Sequence, residues 1–494
     1  MDALAAWNGT RLDRTPGTIK PDQLGIYVFV VALASLYYLA NGPILLGHLD
    51  LGWHLAAGDF IRDRGSVPFQ DPWSFTLGDR QWYNLSWLWD VIASILFQYT
   101  GYTGITLSVV ACGAIIAGCL TSVGLRSGAS TLAVCISVLS ACLLYPAFAT
   151  APNSYLSASP NTATMVFCVI FYAECLKRTR WFLLPPMMVL WANLHGGFVI
   201  GLFIIGFFGA VSVLRRDWVG LKIYSFAVAG CVVAVLINPL GWHIYDGVAT
   251  TLGHFAQAQI TEWWSYPANA TIPGSIPGIV YIAMFVALEL RHPASSPAPL
   301  DSRLLSWLFL LLGFYQYRYM SFFFIFSTVP LALHIDRLLA KRPSDLRVRR
   351  SLLVAGIVGM CALPPTLMCV KPALALPTVL SKQDANYLQT HFPYARLLNH
   401  WNVGGLLIFY TRGAVPVFID GRSATAYPDE LLRDYFKLIK TEIDENAWDT
   451  LIDKYKIDTV LWVKAHESLK RYLVDKKGWT EEYVGSEESI YVKH

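Results

Sequence analysis

The run Leu24-Gly-Ile-Tyr-Val-Phe-Val-Val-Ala-Leu-Ala-Ser-Leu-Tyr-Tyr-Leu-Ala-Asn-Gly-Pro-Ile-Leu-Leu46 leads directly into His48-Leu-Asp50-Leu-Gly-Trp53-His54-Leu-Ala-Ala-Gly58-Asp-Phe-Ile61. The first part is apolar and long enough to cross a bilayer as a helix, which takes about 20 residues. It exceeds a signal-peptide core, and no small-residue cleavage site ends it. Arg11, Arg14 and Lys20 precede it. It therefore reads as a signal anchor that leaves residues 1–23 in the cytoplasm. The second part is too patterned for a mere connector.

Working outward, similar apolar segments recur near 104–124, 131–149, 161–177, 181–195, 197–214, 221–238, 274–290, 303–317, 319–338 and 352–370. A shorter one covers 87–100. Only 15% of the 494 residues are charged, 55% are hydrophobic, and the mean hydropathy is +0.44. A soluble domain carries roughly 25% charged residues. The net charge of +4 is small for this length and argues against a nucleic-acid surface. Basic residues cluster in short loops: Lys177, Arg178 and Arg180; Arg215, Arg216 and Lys222; and Arg337 to Arg350. Taking these loops as cytoplasmic gives about eleven crossings. Segment 87–100 then lies at, or re-enters, the outer interface, and the chain from 375 onward falls outside. The nine cysteines all sit in apolar segments with no CxxC, so neither a disulfide framework nor a thiolate zinc site is expected.

The first outer loop, 47–86, carries the densest pattern. Trp53, Ala57, Phe60 and Ile61 recur at helical spacing, with Asp59, Arg62 and Asp63 opposite. This predicts a short amphipathic helix on the membrane surface. Trp73, Phe75, Trp82, Tyr83, Trp87 and Trp89 are the aromatics favoured at headgroup level. From 375 to 494 the composition becomes that of a soluble α/β domain. Strands are expected at Leu406–Tyr410, Val415–Ile419, Thr459–Val463 and Ser489–Val492. Helices are expected at Glu430–Lys440, Trp448–Tyr455 and Leu469–Asp475.

Several residues could carry chemistry. Asp50 follows the first span beside Trp53 and His54. A carboxylate at that depth needs a partner, a metal or an aqueous cavity. It could take a proton from an acceptor hydroxyl, or it could simply cap the helix that follows. A divalent cation on Asp50 would also fit. His195 sits before Gly196-Gly197, where two apolar segments meet; it suits phosphate or metal, or a plain polar turn. Glu262, flanked by Trp263 and Trp264, suits a sugar site or an interfacial belt. Arg318 is the lone cation between two late spans on the outer side, matched to a phosphate or merely snorkelling. Asp420-Gly421-Arg422, with Tyr427 beyond, presents an acid and a base on one turn, or closes that turn as an ion pair.

The stretch from Asp50 to Gly58 resembles the opening of bacterial membrane proteins related to GT-C glycosyltransferases, as do Asp71-Pro-Trp-Ser-Phe and Trp87-Leu88. The resemblance continues through Trp191-Ala-Asn-Leu-His-Gly-Gly, Asn238-Pro-Leu-Gly-Trp, Glu262-Trp and Gly404-Gly…Asp420-Gly-Arg. It implies a GT-C-like, all-α helical bundle of residues 24–370 in the bacterial inner membrane, with an extracytoplasmic α/β domain at 375–494. It implies an inverting transferase that uses a polyprenyl-phosphate-linked sugar at the outer face, with Asp50 as the first-loop acid. The acceptor would be a lipid, a glycan or a protein. His54, Asp71, His195, Glu262, Arg318, Asp420 and Arg422 become candidate substrate contacts. Two positions depart from the pattern: Ser159 stands where relatives tend to have arginine, and Ser86 where they have an acid. The competing readings are a lipid-linked-glycan transporter or scaffold, which would need polar residues through the spans, and an oligosaccharide polymerase or ligase, which would need a large late outer loop.

Overall fold

The computed structural model describes residues 21–40, 49–148, 156–260, 263–265, 275–291, 296–340, 380–438, 443–464, 466–485 and 487–494. Segment 352–370 and Glu262 lie outside the described residues.

The chain is mostly helical up to residue 340. The helices are α1 (Pro21–Ala40), α2 (Leu51–Arg64), α3 (Trp87–Arg126), α4 (Thr131–Phe148), α5 (Asn161–Lys177) and α6 (Leu184–Leu194). They continue with α7 (Phe198–Leu214), α8 (Trp218–Val235), α9 (Ser275–Arg291), α10 (Leu300–Tyr315) and α11 (Met320–Ala340). Helix α11 is buried on every side from Met320 to Ile335, as expected of a central helix in an apolar bundle. Among the described residues, Trp87–Arg126, Trp218–Val235 and Tyr317–Ala340 are long and apolar enough to cross a membrane. Others, such as Phe198–Leu214, are apolar but shorter, so the count of about eleven stands as the sequence expectation.

Two expectations for the first loop change. Helix α2 does form where predicted, but it is not a surface helix. Leu51 to Gly58 and Ile61 are all buried. Only Asp59, Arg62, Asp63 and Arg64 of this helix are exposed. The helix is sandwiched between α3 and a helix from the C-terminal region. The crossing is close: a Cβ on Gly52 would lie 2.6 Å from the Gly405 carbonyl oxygen. Segment 87–100 is continuous with 104–124 in one 40-residue helix, broken at Gly101 (φ 59, ψ −151). Before the break α3 packs on α2. Beyond it, Gly113 and Gly118 meet the Tyr38 and Tyr27 rings of α1.

From 380 onward the described chain surrounds a four-stranded sheet. Its elements are α12 (Lys382–His391), β1 (Leu397–Asn399), α13 (Trp401–Thr411), α14 (Asp429–Leu438), α15 (Glu445–Tyr455), β2 (Thr459–Val463), β3 (Thr480–Val484) and β4 (Glu488–Val492). The order is β1-β2-β4-β3, with β1 parallel to β2 and the other pairs antiparallel. Strands expected at 459–463 and 489–492 are present, as are the three expected helical stretches. Leu406–Tyr410 is not a strand but the body of α13. The Nδ1 of His400 accepts from Asn402 N at 3.2 Å and caps that helix, and its core residues are buried all round. A short apolar run buried on every side has no period to tell helix from strand. Val415–Ile419 makes no full strand; Val417 forms single parallel bridges to Leu397 and to Ser74. The first outer loop thus adds itself to the edge of the C-terminal sheet. One apolar cluster follows from this, uniting Trp53, Ala57, Trp73 and Trp82 with Val403, Leu407, Phe418 and Trp462.

Candidate functional site

Asp50 occupies the N-cap position of α2 yet makes no side-chain bond to the helix's first N–H groups. Simple capping is therefore not its role. Its carboxylate is turned instead toward Gly421. A Cβ on Gly421 would collide with Asp50 Oδ1 and lie 3.3 Å from Trp53 Nε1. Only glycine lets the C-terminal turn approach this carboxylate. Trp53 is 7% exposed, and its indole N–H has no hydrogen-bond partner among the described residues. A buried donor left unsatisfied costs about 1–3 kcal/mol. Here it sits next to the half-buried Asp50.

His54 is one helical turn beyond Asp50, on the same side of α2. Its ring stacks on Trp53 with centroids 3.5 Å apart and meets Trp89 edge-on. Its Nδ1 lies 2.6 Å from Asp90 Oδ1, and Asp90 is wholly buried. Asn84 Nδ2 donates to the other Asp90 oxygen at 2.8 Å. Ser86 N donates to Asn84 Oδ1 at 3.1 Å, which fixes the amide's orientation. Asp90 was not among the expected site residues. Its signal was present in the sequence: apart from Arg126, it is the only charged residue in α3. It also lies one turn beyond Ser86.

Asp71, Asp420 and Arg422 are brought together, but inward. Arg422 is 2% exposed. Its Nε donates to Asp420 Oδ1 at 2.9 Å, its Nη2 to Asp420 Oδ2 at 2.6 Å and Ser74 Oγ at 2.9 Å, and its Nη1 to Asp71. Asp71 Oδ2 accepts from Ser74 N at 2.9 Å, and Tyr427 OH donates to Asp420 Oδ2 at 2.7 Å. The guanidinium carbon sits 4.9 Å from both the Trp73 and Trp82 rings. Burial works against the arginine's charge, but Asp420, Tyr427 and Asp71 outweigh it and hold its pKa above the usual range. This closed knot matches the ion-paired turn rather than a ligand surface. It also places Trp73 and Trp82 inside the protein instead of in a headgroup belt. Trp53 meets Trp82 edge-on at 6.2 Å, so the knot backs the Asp50–His54 face directly.

His195 lies in the turn between α6 and α7. Trp191 Nε1 donates to Thr164 Oγ1 at 3.0 Å, and Thr164 Oγ1 is 2.7 Å from His195 Nδ1. Gly197 N also donates to that nitrogen, at 3.3 Å. With donors on both sides Nδ1 is the acceptor, so the ring's proton is on Nε2. Burial lowers the ring's pKa to about 3, with the charges of Arg318 and His54 adding to the effect. His195 is thus within electrostatic reach of both Arg318 and His54. Arg318 stands with its guanidinium carbon 4.7 Å over the Trp263 ring, in the turn that links α10 and α11. Among the described residues no three His, Cys, Asp or Glu side chains converge as a metal-ion set.

No protein-family model matches the chain, and no curated protein sequence matches it significantly. Solved structures do. The archaeal oligosaccharyltransferase AglB from Archaeoglobus fulgidus, in complex with an inhibitory peptide and a dolichol-phosphate, aligns with a TM-score of 0.63 at 10% identity, over 92% of this chain and 71% of that one. ArnT from Cupriavidus metallidurans, bound to undecaprenyl phosphate, aligns with a TM-score of 0.56 at 14% identity, over 94% and 98% of the two chains. The fold is therefore GT-C-like: a helical body with a small C-terminal sheet.

Proposed function

We propose that the chain is a membrane glycosyltransferase that moves a sugar from a polyprenyl-phosphate donor to a lipid, glycan or protein acceptor at the outer face of the bacterial inner membrane, inverting the anomeric centre. The observation that carries this reading is the seam at Asp50. A half-buried carboxylate, an unsatisfied indole donor and a histidine lie together where the first loop meets the C-terminal region. Glycosyl transfer needs a carboxylate near the sugar, to take a proton from the acceptor hydroxyl, and donors for sugar hydroxyls. Asp50 supplies the first and Trp53 Nε1 the second.

Arg318 and His195 are assigned to the donor phosphate. The leaving polyprenyl phosphate gains charge in the transition state, and preorganised donors aimed at it lower the barrier by a few kcal/mol each. Arg318 brings a permanent bidentate cation, and neutral His195 brings an Nε2–H. The transporter reading gains no support from the buried ion pairs of the helical body. Glu289 with His334 and Arg303, and Arg215 with Asp301, join helices α7, α9, α10 and α11 near their ends and form no path along a span.

The test is turnover of radiolabelled undecaprenyl-phosphate hexoses by the protein in proteoliposomes, together with mass spectrometry of lipids that copurify with it. The parental protein releases undecaprenyl phosphate from at least one hexose donor, and Asp50→Asn, folded and inserted, does not. Parental turnover by Asp50→Asn would remove Asp50 from the reaction.

A further inference from the structure

We infer that the groove between α6 and the end of α8 holds the first isoprene units of the donor's polyprenyl chain. This rests on the transferase reading above and names the surface along which that substrate's chain lies.

Pro186, Val189, Leu190 and Asn193 recur at helical spacing and give α6 one stripe along the groove, about 10 Å long. Leu236 and Ile237, just past the end of α8, face it, and Trp87 at the start of α3 completes the lining. The groove's volume of about 640 Å³ is within the range of about 300–1,000 Å³ usual for small-molecule sites. Leu190, Leu236 and Ile237 are exposed, so its apolar walls stand open to their surroundings. One buried side chain holds the three parts together. Asn193 Oδ1 accepts from Trp87 Nε1 at 2.8 Å, and its Nδ2 donates to Val189 O at 2.7 Å and to Ile237 O at 2.8 Å. Asn238, also at the groove, is engaged in the same way: its Oδ1 accepts from Leu240 N at 2.7 Å, and its Nδ2 donates to the Val235 and Gly241 carbonyls. Both asparagines and the indole bond within the protein, and the surface they leave is hydrocarbon.

Those features select the occupant. A sugar or a phosphate is recognised by polar groups turned toward it, so an apolar chain is what fits here. In a membrane such a chain comes from a phospholipid or from the prenyl donor. Position favours the donor. The stripe on α6 ends at Asn193, and the α6–α7 turn begins two residues on. That turn packs against the first loop: a Cβ on Gly196 would lie 2.9 Å from Leu85 Cδ1. A chain lying along the stripe is therefore led to the place where the helical body meets the loop that begins at Asp50. Rigidity favours the donor as well. Asn193 pins the walls, and Pro186, Val189, Ile237 and Pro239 are stiff residues, so the groove keeps its shape. A prenyl chain carries a double bond and a branch methyl in every unit, so it has fewer torsions to immobilise than a saturated acyl chain. Moving from the bilayer into the groove brings no hydrophobic gain, because lipid tails are as apolar as leucine. The groove contributes packing and orientation, which aim the phosphate end at the α6–α7 turn.

The test is photo-crosslinking of the full chain in nanodiscs of phosphatidylethanolamine and phosphatidylglycerol that contain a minor fraction of undecaprenyl phosphate. A benzophenone amino acid is placed at position 190, at 237, or at 226, the last an exposed control about 15 Å further down α8. After illumination the lipid adducts are identified by mass spectrometry. Positions 190 and 237 should carry undecaprenyl phosphate well beyond its share of the bilayer, and position 226 should follow the bilayer's composition. Leu190→Trp fills the groove from an exposed position, so the thermal midpoint should hold while the enrichment at 237 disappears. With an undecaprenyl-phosphate hexose the same variant should raise the donor KM about tenfold and leave kcat nearly unchanged, the pattern of lost binding shared by ground and transition states. Ile237→Trp, read by the benzophenone at 190, provides the same test from the facing wall. The inference is overturned by undecaprenyl phosphate at 190 and 237 only in proportion to its share, by phospholipid enriched there in its place, or by parental enrichment in both tryptophan variants. Enrichment without turnover of any hexose donor keeps the groove and removes the transferase reading; turnover without enrichment does the reverse.

Discussion

Replacing Gly421 by alanine tests whether the C-terminal turn sets the position of Asp50. The backbone at Gly421 is outside the left-handed region, so alanine meets no torsional objection. The only obstacle is the new methyl group. It would overlap Asp50 Oδ1 and lie 2.9 Å from Asp50 Cγ. Carbon atoms sit comfortably at about 3.5–4.0 Å, so the carboxylate must withdraw by roughly 1 Å. Asp50 is half-buried at a helix start, and it can do this by rotating its side chain. The fold should survive, with the thermal midpoint within a few degrees of the parent. Catalysis should not, because a misplacement of about 1 Å costs on the order of 100-fold in rate, or about 2.7 kcal/mol of barrier. The assay is release of undecaprenyl phosphate from a hexose donor in proteoliposomes, with unfolding followed in the same preparation. Adding Asp50→Ala removes the clash, so the double variant should recover any stability that Gly421→Ala lost but none of the activity. Parental turnover by Gly421→Ala would refute the reasoning, since it would mean that the carboxylate can leave this position without consequence.

Three other outcomes follow from the same geometry. Arg318→Lys should lose most of the transfer rate and Arg318→Ala nearly all of it, because lysine supplies a point charge without the bidentate fork; unchanged donor affinity and rate in Arg318→Ala would leave only a snorkelling side chain. Arg422→Met leaves Asp71 and Asp420 buried without their cation, which should destabilise the protein by about 3–5 kcal/mol, read as a lowered thermal midpoint and protease cleavage within 66–82. Glu488, 1% exposed in β4, has its carboxyl pushed up to about 8 by burial and then by Asp384 and Glu487. Its folded pKa lies above the unfolded one, so stability is full below about pH 4.5 and falls as pH rises through about 8. Hydrogen exchange in β2 and β4, corrected for intrinsic rate, should therefore quicken from pH 5.5 to 9, and Glu488→Gln should flatten that response.

The helical body was legible because apolar periodicity and charge are local signals. The same signals predicted α2, α14, α15, β2 and β4. What failed was whatever depended on a distant partner. Helix α2 has a polar face, so it read as a membrane-surface helix; its remaining faces are covered by α3 and by α13, some 350 residues away. The run at 406–410 read as a strand because burial on all sides erases the helical period. Strand β3 was missed because its exposed edge carries Glu481 and Glu482, and β1 because three residues make no pattern. Asp420 and Arg422 looked like a site because the sequence gives no hint that Asp71, 351 positions earlier, completes their bonding.

The placement of that ion knot bears on how the candidate site is held together. A buried Arg–carboxylate cluster adds little net stability, since desolvation offsets most of the attraction. Its value is in directional bonding. Arg422 reaches Asp71 and Ser74 of the first loop and Asp420 of the C-terminal turn at once, and Trp73 and Trp82 close over it. Val417 adds backbone bonds to Trp73 and Phe75. These contacts admit one register between loop and turn. That register puts Gly421 against Asp50 and Trp82 against Trp53, which in turn stacks on His54. The side chains proposed to react all come from the helical body, but the position of Asp50 is set from the C-terminal region. Loosening the knot should therefore reduce turnover before it unfolds the protein, because about 1 Å of play at Asp50 matters to catalysis long before it matters to packing.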